Sequence, residues 1–314
     1  MQVKSTSIAH STRGYLVCVV AITLLSTTAI FIRYLTETTH IPALVLAFWR
    51  DLFVALALIG FFFLFNRTRL RVEHRHLGFL ILYGFILAVF NSIWTVSVAI
   101  NGAAVATVLA YSSAAFTAVL GWRLFAERLG PGKFLALVLC LVGCVFVAGA
   151  FTRSAWQLNL VGILGGVFSG LAYSLYILMG RASSQRGLNP WTALLYSFCV
   201  ATLFILIFDL IPGWLPAGLA STKLFWLGTS SMGWIVLLVL AIGPTVCGFG
   251  LYTVSLVHLP ASVANLISTL EPAMTATWAY LFLGERFTGP QFFGSALIIA
   301  GVIVIRLSES TGAA

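Results

Sequence analysis

Thr95-Val96-Ser97 is followed thirty residues later by Glu127-Arg128, and Thr253-Val254-Ser255 is followed at the same interval by Glu285-Arg286. The chain is therefore written twice. Sliding residues 95–143 by 158 positions onto 253–301 gives 14 identities in 49 places without a gap, among them Ala103/Ala261, Val105/Val263, Thr117/Thr275, Phe134/Phe292 and Gly143/Gly301. An offset of 148 pairs Gly14/Gly162, Ser26/Ser174, Arg33/Arg181 and Pro42/Pro190. The change of offset lies in Ile211 to Ser231, a long connection with Pro212, Pro216, Trp214 and Trp226 that suits a membrane interface.

Outward from this duplication, composition sets the solvent. The chain is 61% hydrophobic and 8% charged over 314 residues, against roughly 45–50% and 25% in soluble domains. A helix needs about 20 apolar residues to span a bilayer. Ten such segments are predicted, near 14–35, 43–65, 77–99, 103–125, 131–150, 158–180, 190–211, 232–256, 260–283 and 289–306. The expected fold is an all-α integral membrane protein whose ten transmembrane helices form two inverted five-helix repeats, 1–153 and 154–314, joined in one bundle. Five is odd, so the second copy enters the membrane from the opposite side. Inverted repeats imply alternating access to a midplane site.

The net charge of +9 fits topology better than nucleic acid. With a cytoplasmic amino terminus, 12 of the 17 Lys and Arg fall inside: Lys4, Arg13, Arg67, Arg69, Arg71, Arg75, Arg123, Arg128, Lys133, Arg181, Arg186 and Arg306. That is the positive-inside pattern, and it places both termini in the cytoplasm and the chain in a cytoplasmic (inner) membrane. The basic run from Arg67 reads as an anchor that touches membrane lipids. The first span is too long for a cleaved signal core, and Ile30-Phe31-Ile32-Arg33 is a poor cleavage site. Cys140 and Cys144 share a helix face with no His or carboxylate beside them, which predicts packing and no metal site.

The Glu-Arg pair closing each copy, the Glu271-Pro272 step and the two sets of five helices resemble the EamA family of the drug/metabolite transporter superfamily. The motifs that carry the resemblance are Leu270-Glu271-Pro272-Ala273 running to Leu283-Gly284-Glu285-Arg286, with Phe125-Ala126-Glu127-Arg128 as the first-copy counterpart. The resemblance implies a secondary transporter that moves small organic metabolites or drug-like solutes, in the export direction. It does not identify the cargo. The family's usual proline in the first copy, equivalent to Pro272, is here Ala114. The fourth helix is accordingly expected to be straighter than the ninth.

Ionisable groups within a bilayer cost about 2.5–3.5 kcal/mol on insertion scales, so each asks for a reason. Glu271, near the middle of the ninth span, can hold a proton or a cationic substrate group but not both, which is a simple coupling device. Its bland role is to cap freed backbone donors beside Pro272. Arg50 is either an anion handle for substrate or the partner of Asp51, Glu37 or a helix end. Adjacent residues point about 100° apart, which argues against Arg50 and Asp51 forming a single face pair. Asn91, Trp94, Tyr111, Tyr173, Tyr176 and Asn265 are the further candidates for lining the site. Gly243-Pro244 and Pro272 are the expected hinges, since proline removes a backbone donor. The ladder Gly162, Gly166, Gly170 lets a neighbouring helix approach closely. Glu127-Arg128 and Glu285-Arg286 read as helix-end fixtures whose charges reach the interface.

No energy source or catalytic motif is present. Gly130-Pro131-Gly132-Lys133-Phe134 lacks the spacing of a phosphate loop. No His-Glu-x-x-His or Gly-x-Ser-x-Gly occurs, and His74 and His76 lack a third ligand. The expectation is a carrier with no cofactor and no enzymatic activity. The rival readings are a passive facilitator and, more distantly, a membrane-embedded enzyme for lipid-linked substrates.

Overall fold

A computed structural model describes residues 2–101, 109–127, 129–147, 149, 160–211, 221–283 and 288–312. Gly102, Ala103, Val105, Arg128, Arg153, Pro212, Trp214, Pro216, Gly284 and the second pair Glu285-Arg286 lie outside the described residues.

Every regular element among the described residues is helical: α1 (Gln2–Leu25), α2 (Thr28–Thr39), α3 (Ala43–Phe65), α4 (His74–Asn101), α5 (Ser113–Phe125), α6 (Pro131–Val147), α7 (Leu160–Gln185), α8 (Pro190–Leu210), α9 (Ser231–Leu240), a π-helix (Ala241–Phe249), α10 (Gly250–His258), α11 (Ala261–Ser268), α12 (Glu271–Leu283) and α13 (Gly289–Gly312), with one 3-10 turn (Arg67–Leu70). Their ends follow local chemistry. Pro42 fixes the residue before α3, and α8 opens on Pro190 with the Asn189 side chain accepting from the Trp191 amide. The α3 limits, Ala43 and Phe65, are those predicted from sequence.

Seven described stretches are long and apolar enough to cross a membrane: Thr12–Thr39, Ala43–Phe65, His74–Trp94, Ile163–Gln185, Pro190–Leu210, Ser231–His258 and Gly289–Ser308. Pro131–Val147 is a shorter apolar helix. The predicted ninth span is divided into α11 and α12, of 8 and 13 residues, or about 12 and 20 Å at 1.5 Å per residue. Neither half alone covers a hydrocarbon core of about 30 Å. The outer surface is apolar, with Phe61, Leu64, Phe65, Phe134, Leu203 and Phe292 all exposed.

Helix packing follows small residues. The most extensive pairing is α6 with α13, and α3 packs on α8, α4 on α7 and α8, and α1 on α10. In the α6–α13 seam, a Cβ at Gly143 would stand 2.7 Å from the Gly294 carbonyl oxygen, and one at Gly294 would stand 2.6 Å from the Gly143 oxygen. Gly301 faces Cys140, and Gly132 faces Ser308, so the two helices run antiparallel. Cys140 and Cys144 are buried here, their thiols directed at the Ile298 and Thr269 carbonyls.

Two sequence expectations about helix shape change. The first predicted span is interrupted at Ser26-Thr27, between α1 and α2. Both hydroxyls turn back onto local carbonyls, Ser26 on Thr23 and Thr27 on Leu24, which competes with regular helix. The described part of the fourth span is interrupted as well. A turn at Ser112 separates residues 109–111 from α5, and Ser112 sits opposite Leu270 under the 158-residue offset. At both places backbone bonds tighten, Ser112 to Leu109 and Leu270 to Ile267. No proline is needed at Ala114 because α7 presses on this turn. A Cβ at Gly170 would lie 3.0 Å from the carbonyl oxygens of both Leu109 and Ala110. Gly166 likewise abuts Leu109, whereas the contacts of Gly162 lie outside the described residues.

Candidate substrate site

Glu271 is the first residue of α12, followed by Pro272, so its carboxylate stands at a helix N-terminus where backbone donors are unpaired. Both residues are half-buried. Tyr111 and Tyr173 of α7 lie within electrostatic reach of the Glu271 carboxylate. Tyr173 stacks on Phe90 at 4.7 Å. Three candidates are thus brought together at the break in the ninth span: Glu271, Tyr111 and Tyr173.

One turn along α7, Tyr176 stacks on Tyr83 of α4 at 4.8 Å and comes within electrostatic reach of Asp51. Asp51 is fully buried. Arg50 Nε donates to its Oδ1 at 3.0 Å, and Asn91 Nδ2 of α4 donates to its Oδ2 at 3.0 Å. Arg50 and Asp51 pair, one of the alternatives offered for Arg50, although adjacent helical residues point about 100° apart. The reason is reach: the arginine stem carries its guanidinium around the helix to the neighbouring carboxylate, although their Cβ atoms diverge. Arg50 and Asn91 therefore meet through Asp51, a residue not included among the sequence candidates. Its charge inside a span was the signal that could have found it.

The remaining candidates separate. Asn265 of α11 is fully buried and its amide is used structurally, donating to Ser113 (3.2 Å) and Thr117 (2.8 Å) and accepting from Ser268 (2.9 Å). Trp94 is half-buried on α4, one turn beyond Asn91. Gly243 and Pro244 lie within the π-helix, as expected of an interrupted span, and Thr245 bonds back to the Leu240 carbonyl at 2.8 Å. The widened turn absorbs the donor that proline lacks.

Of a group of three buried tyrosines, the sequence candidates include Tyr176 and miss Tyr83 and Tyr252. Tyr83, Tyr176 and Tyr252 are at most 1% exposed, and none of their hydroxyls has a hydrogen-bond partner among the described residues. Orphaned buried hydroxyls cost about 1–3 kcal/mol each, so a polar interior with three of them asks for a use. Nothing in the spacing of Tyr83 or Tyr252 distinguishes them from packing residues.

A second correction concerns Glu127. Its side chain does not reach the interface but is 7% exposed. Ala126, in the left-handed region at φ 52°, ends α5 and turns the chain back, and Gly121 leaves room for the carboxylate. The carboxylate then accepts from the amides of Ala261 (2.8 Å) and Ser262 (3.3 Å) and from the Ser262 hydroxyl. Lys133, counted with the interfacial charges, is also buried, 3.0 Å from Ser262 Oγ and 3.9 Å from Glu127. Arg181 completes this end of the bundle by donating to the Leu256 and Val257 carbonyls at the close of α10.

An apolar exterior around helix breaks that gather polar side chains is the build of a multi-pass helical membrane protein. The sequence comparisons agree. The EamA-like transporter family matches at residues 12–149 and again at 160–307; the chain belongs to this family. It is 26% identical over 237 residues to an uncharacterized transporter of Synechocystis, covering 73% of this chain and 67% of that one. It is 29% identical over 249 residues to the threonine/homoserine exporter RhtA of Escherichia coli K12, covering 78% and 75%. A crystal structure superposes with a TM-score of 0.75 over 94% of this chain and 96% of its own at 18% identity, a likeness of fold alone.

Proposed function

We propose that this protein is a secondary carrier of ten spans in two inverted repeats, 1–153 and 154–314, exporting a small organic solute across the cytoplasmic membrane by alternating access. The observation that carries the reading is Glu127 at the end of the fourth span bonded to the first amides of α11, which opens the ninth. Equivalent spans of the two copies then run in opposite directions. The antiparallel α6–α13 seam supports the same relation, as do the bonds from Thr192 and Tyr196 near the start of α8 to the Arg69 and Leu70 carbonyls just after α3. Under exchange of the copies, α4 on α7 corresponds to α10 on α1, and both pairings occur. With both termini cytoplasmic, the Glu127 end faces the cytoplasm.

Glu271 is the coupling residue in this reading. Its carboxyl holds either a proton or a cationic group of the cargo, and Tyr111 and Tyr173 shape its surroundings. Gly243-Pro244 and Pro272 mark the interrupted helices that rearrange. The relation to a threonine/homoserine exporter makes those two amino acids the first probes. Glu271→Gln is expected to insert and purify as the parent does but to lose pH-dependent counterflow of radiolabelled substrate in proteoliposomes. Transport by that variant equal to the parent's at every pH would remove the coupling role.

A further inference from the structure

Resting on the carrier reading, we infer that Asp51 and Asn91 are positioning residues that hold Arg50 as a preformed receptor for a carboxylate on the transported solute. The inference starts from how the guanidinium is used. Arginine presents five N–H donors in a planar fork. Only Nε is engaged, on Asp51 Oδ1 at 3.0 Å, and the two terminal nitrogens have no hydrogen-bond partner among the described residues. Yet the Arg50 side chain is 9% exposed and Asp51 is fully buried. None of the Arg50 nitrogens is both fully buried and unpaired, so the unbonded outer edge is the accessible part of a side chain otherwise withdrawn from water, where a ligand can complete it.

The geometry leaves that edge suited to one chemistry. Two parallel N–H groups match the two oxygens of a carboxylate. The other carboxylate oxygen of Asp51 is occupied by Asn91 at 3.0 Å. Asp51 is therefore anchored between α3 and α4 and fixes the guanidinium plane. A purely structural ion pair would have no need to leave the fork open. The placement also belongs to the interior described above. Asp51 is within electrostatic reach of Tyr176, one helical turn along α7 from the Tyr173 that is within the same reach of Glu271, a rise of about 4.5 Å. An anion receptor and an acidic residue thus flank the same tyrosine edge. Cargo carrying an acid group meets Arg50, and any cationic group it also bears meets Glu271.

The test uses purified full-length protein and a ligand-induced thermal-shift screen followed by direct binding. The screen pairs L-amino acids, hydroxy acids and dicarboxylates with their methyl esters, and pairs threonine and homoserine with 1-aminopropan-2-ol and 3-aminopropan-1-ol, which lack the acid group. Cationic dyes and nucleosides complete the set. The expected result is that stabilising compounds carry a carboxylate and that esterification weakens binding at least tenfold. Arg50→Lys keeps the charge without the fork, and Asp51→Asn releases it. Both are expected to weaken the acid about tenfold while leaving residual ester binding unchanged, with size-exclusion profiles like the parent's. Acid and ester bound equally, acid affinity unchanged in both variants, or a screen in which only compounds without an acid group bind would each overturn the proposal. Counterflow of such a non-acid ligand in proteoliposomes would preserve the carrier reading while the carboxylate receptor fell. A parent that binds and moves none of the compounds would sink both.

Discussion

Replacing Glu127 by alanine removes the contact that ties the two halves together at one end of the bundle. The carboxylate accepts from two backbone amides and a hydroxyl and lies 3.9 Å from Lys133. Losing an acceptor at a helix N-terminus costs about 0.5–2 kcal/mol, and each hydrogen bond to a charged group contributes about 1.5–3 kcal/mol. These overlap, since Ala261 and Ser262 are neighbours. Removing one member of a buried charge pair costs about 3–5 kcal/mol, and that range is the expected total. At about 2–4 °C per kcal/mol for larger domains, the apparent melting temperature in detergent should fall by roughly 6–20 °C. Glu127→Gln retains one acceptor oxygen and should fall less. Lys133→Met tests the pairing: the double variant should be less destabilised than the sum of the single ones by more than about 1 kcal/mol. Melting of Glu127→Ala within a degree of the parent, or additivity of the two changes within about 0.5 kcal/mol, would refute the reasoning.

Two further outcomes follow from packing and direction. Gly143→Leu should lower stability by more than the usual 1–3 kcal/mol of overpacking, because the opposing atom is the Gly294 backbone oxygen. Gly60→Leu, where a Cβ meets nothing within 4 Å, should change the melting temperature little. In a cysteine-free background, Gly130→Cys and Gly289→Cys should react with impermeant maleimide from opposite sides of sealed vesicles. Labelling of both from one side would remove the inverted arrangement.

Features built from short-range chemistry were legible before the structure. The predicted spans from 43 and 190 begin where α3 and α8 do, and Gly143 and Gly301, matched by the repeat, occupy equivalent positions on the two faces of the α6–α13 seam. Gly243-Pro244 announced the interruption that became a π-helix. What could not be read was partner choice across long stretches of chain. Glu127 lies 134 positions from Ala261, and no local pattern distinguishes a carboxylate that reaches water from one that caps a helix in the other copy. Cβ directions argue against the Arg50–Asp51 pair, but the arginine side chain is long enough to evade that rule, so the choice between Asp51, Glu37 and a helix end was not legible. Glu271 was legible as a cost, a carboxylate within lipid, but the approach of Tyr111 and Tyr173 to it was not.

The interruptions explain one another better than their own residues do. Backbone groups at membrane depth must find partners inside the protein, and here broken helices supply them. The carbonyl of Ser26, at the α1–α2 turn, accepts from Thr275 Oγ1 at 2.9 Å, and its hydroxyl accepts from Trp278 Nε1 at 2.8 Å, both from α12 beyond the Thr269-Leu270 break. Gly248 in the π-helix closes against Leu25, immediately before the same turn. Three discontinuities in three spans therefore share one contact region. A proline in the sequence is consequently a weak guide to where this bundle bends: Ser26 and Ser112 interrupt their helices without one, because a glycine face or a neighbouring hydroxyl accepts the disturbed backbone. The same sharing means that moving one break disturbs the partners of another. On the carrier reading proposed above, rearrangement would involve coordinated displacement of α1, the π-helix and α12 rather than one hinge.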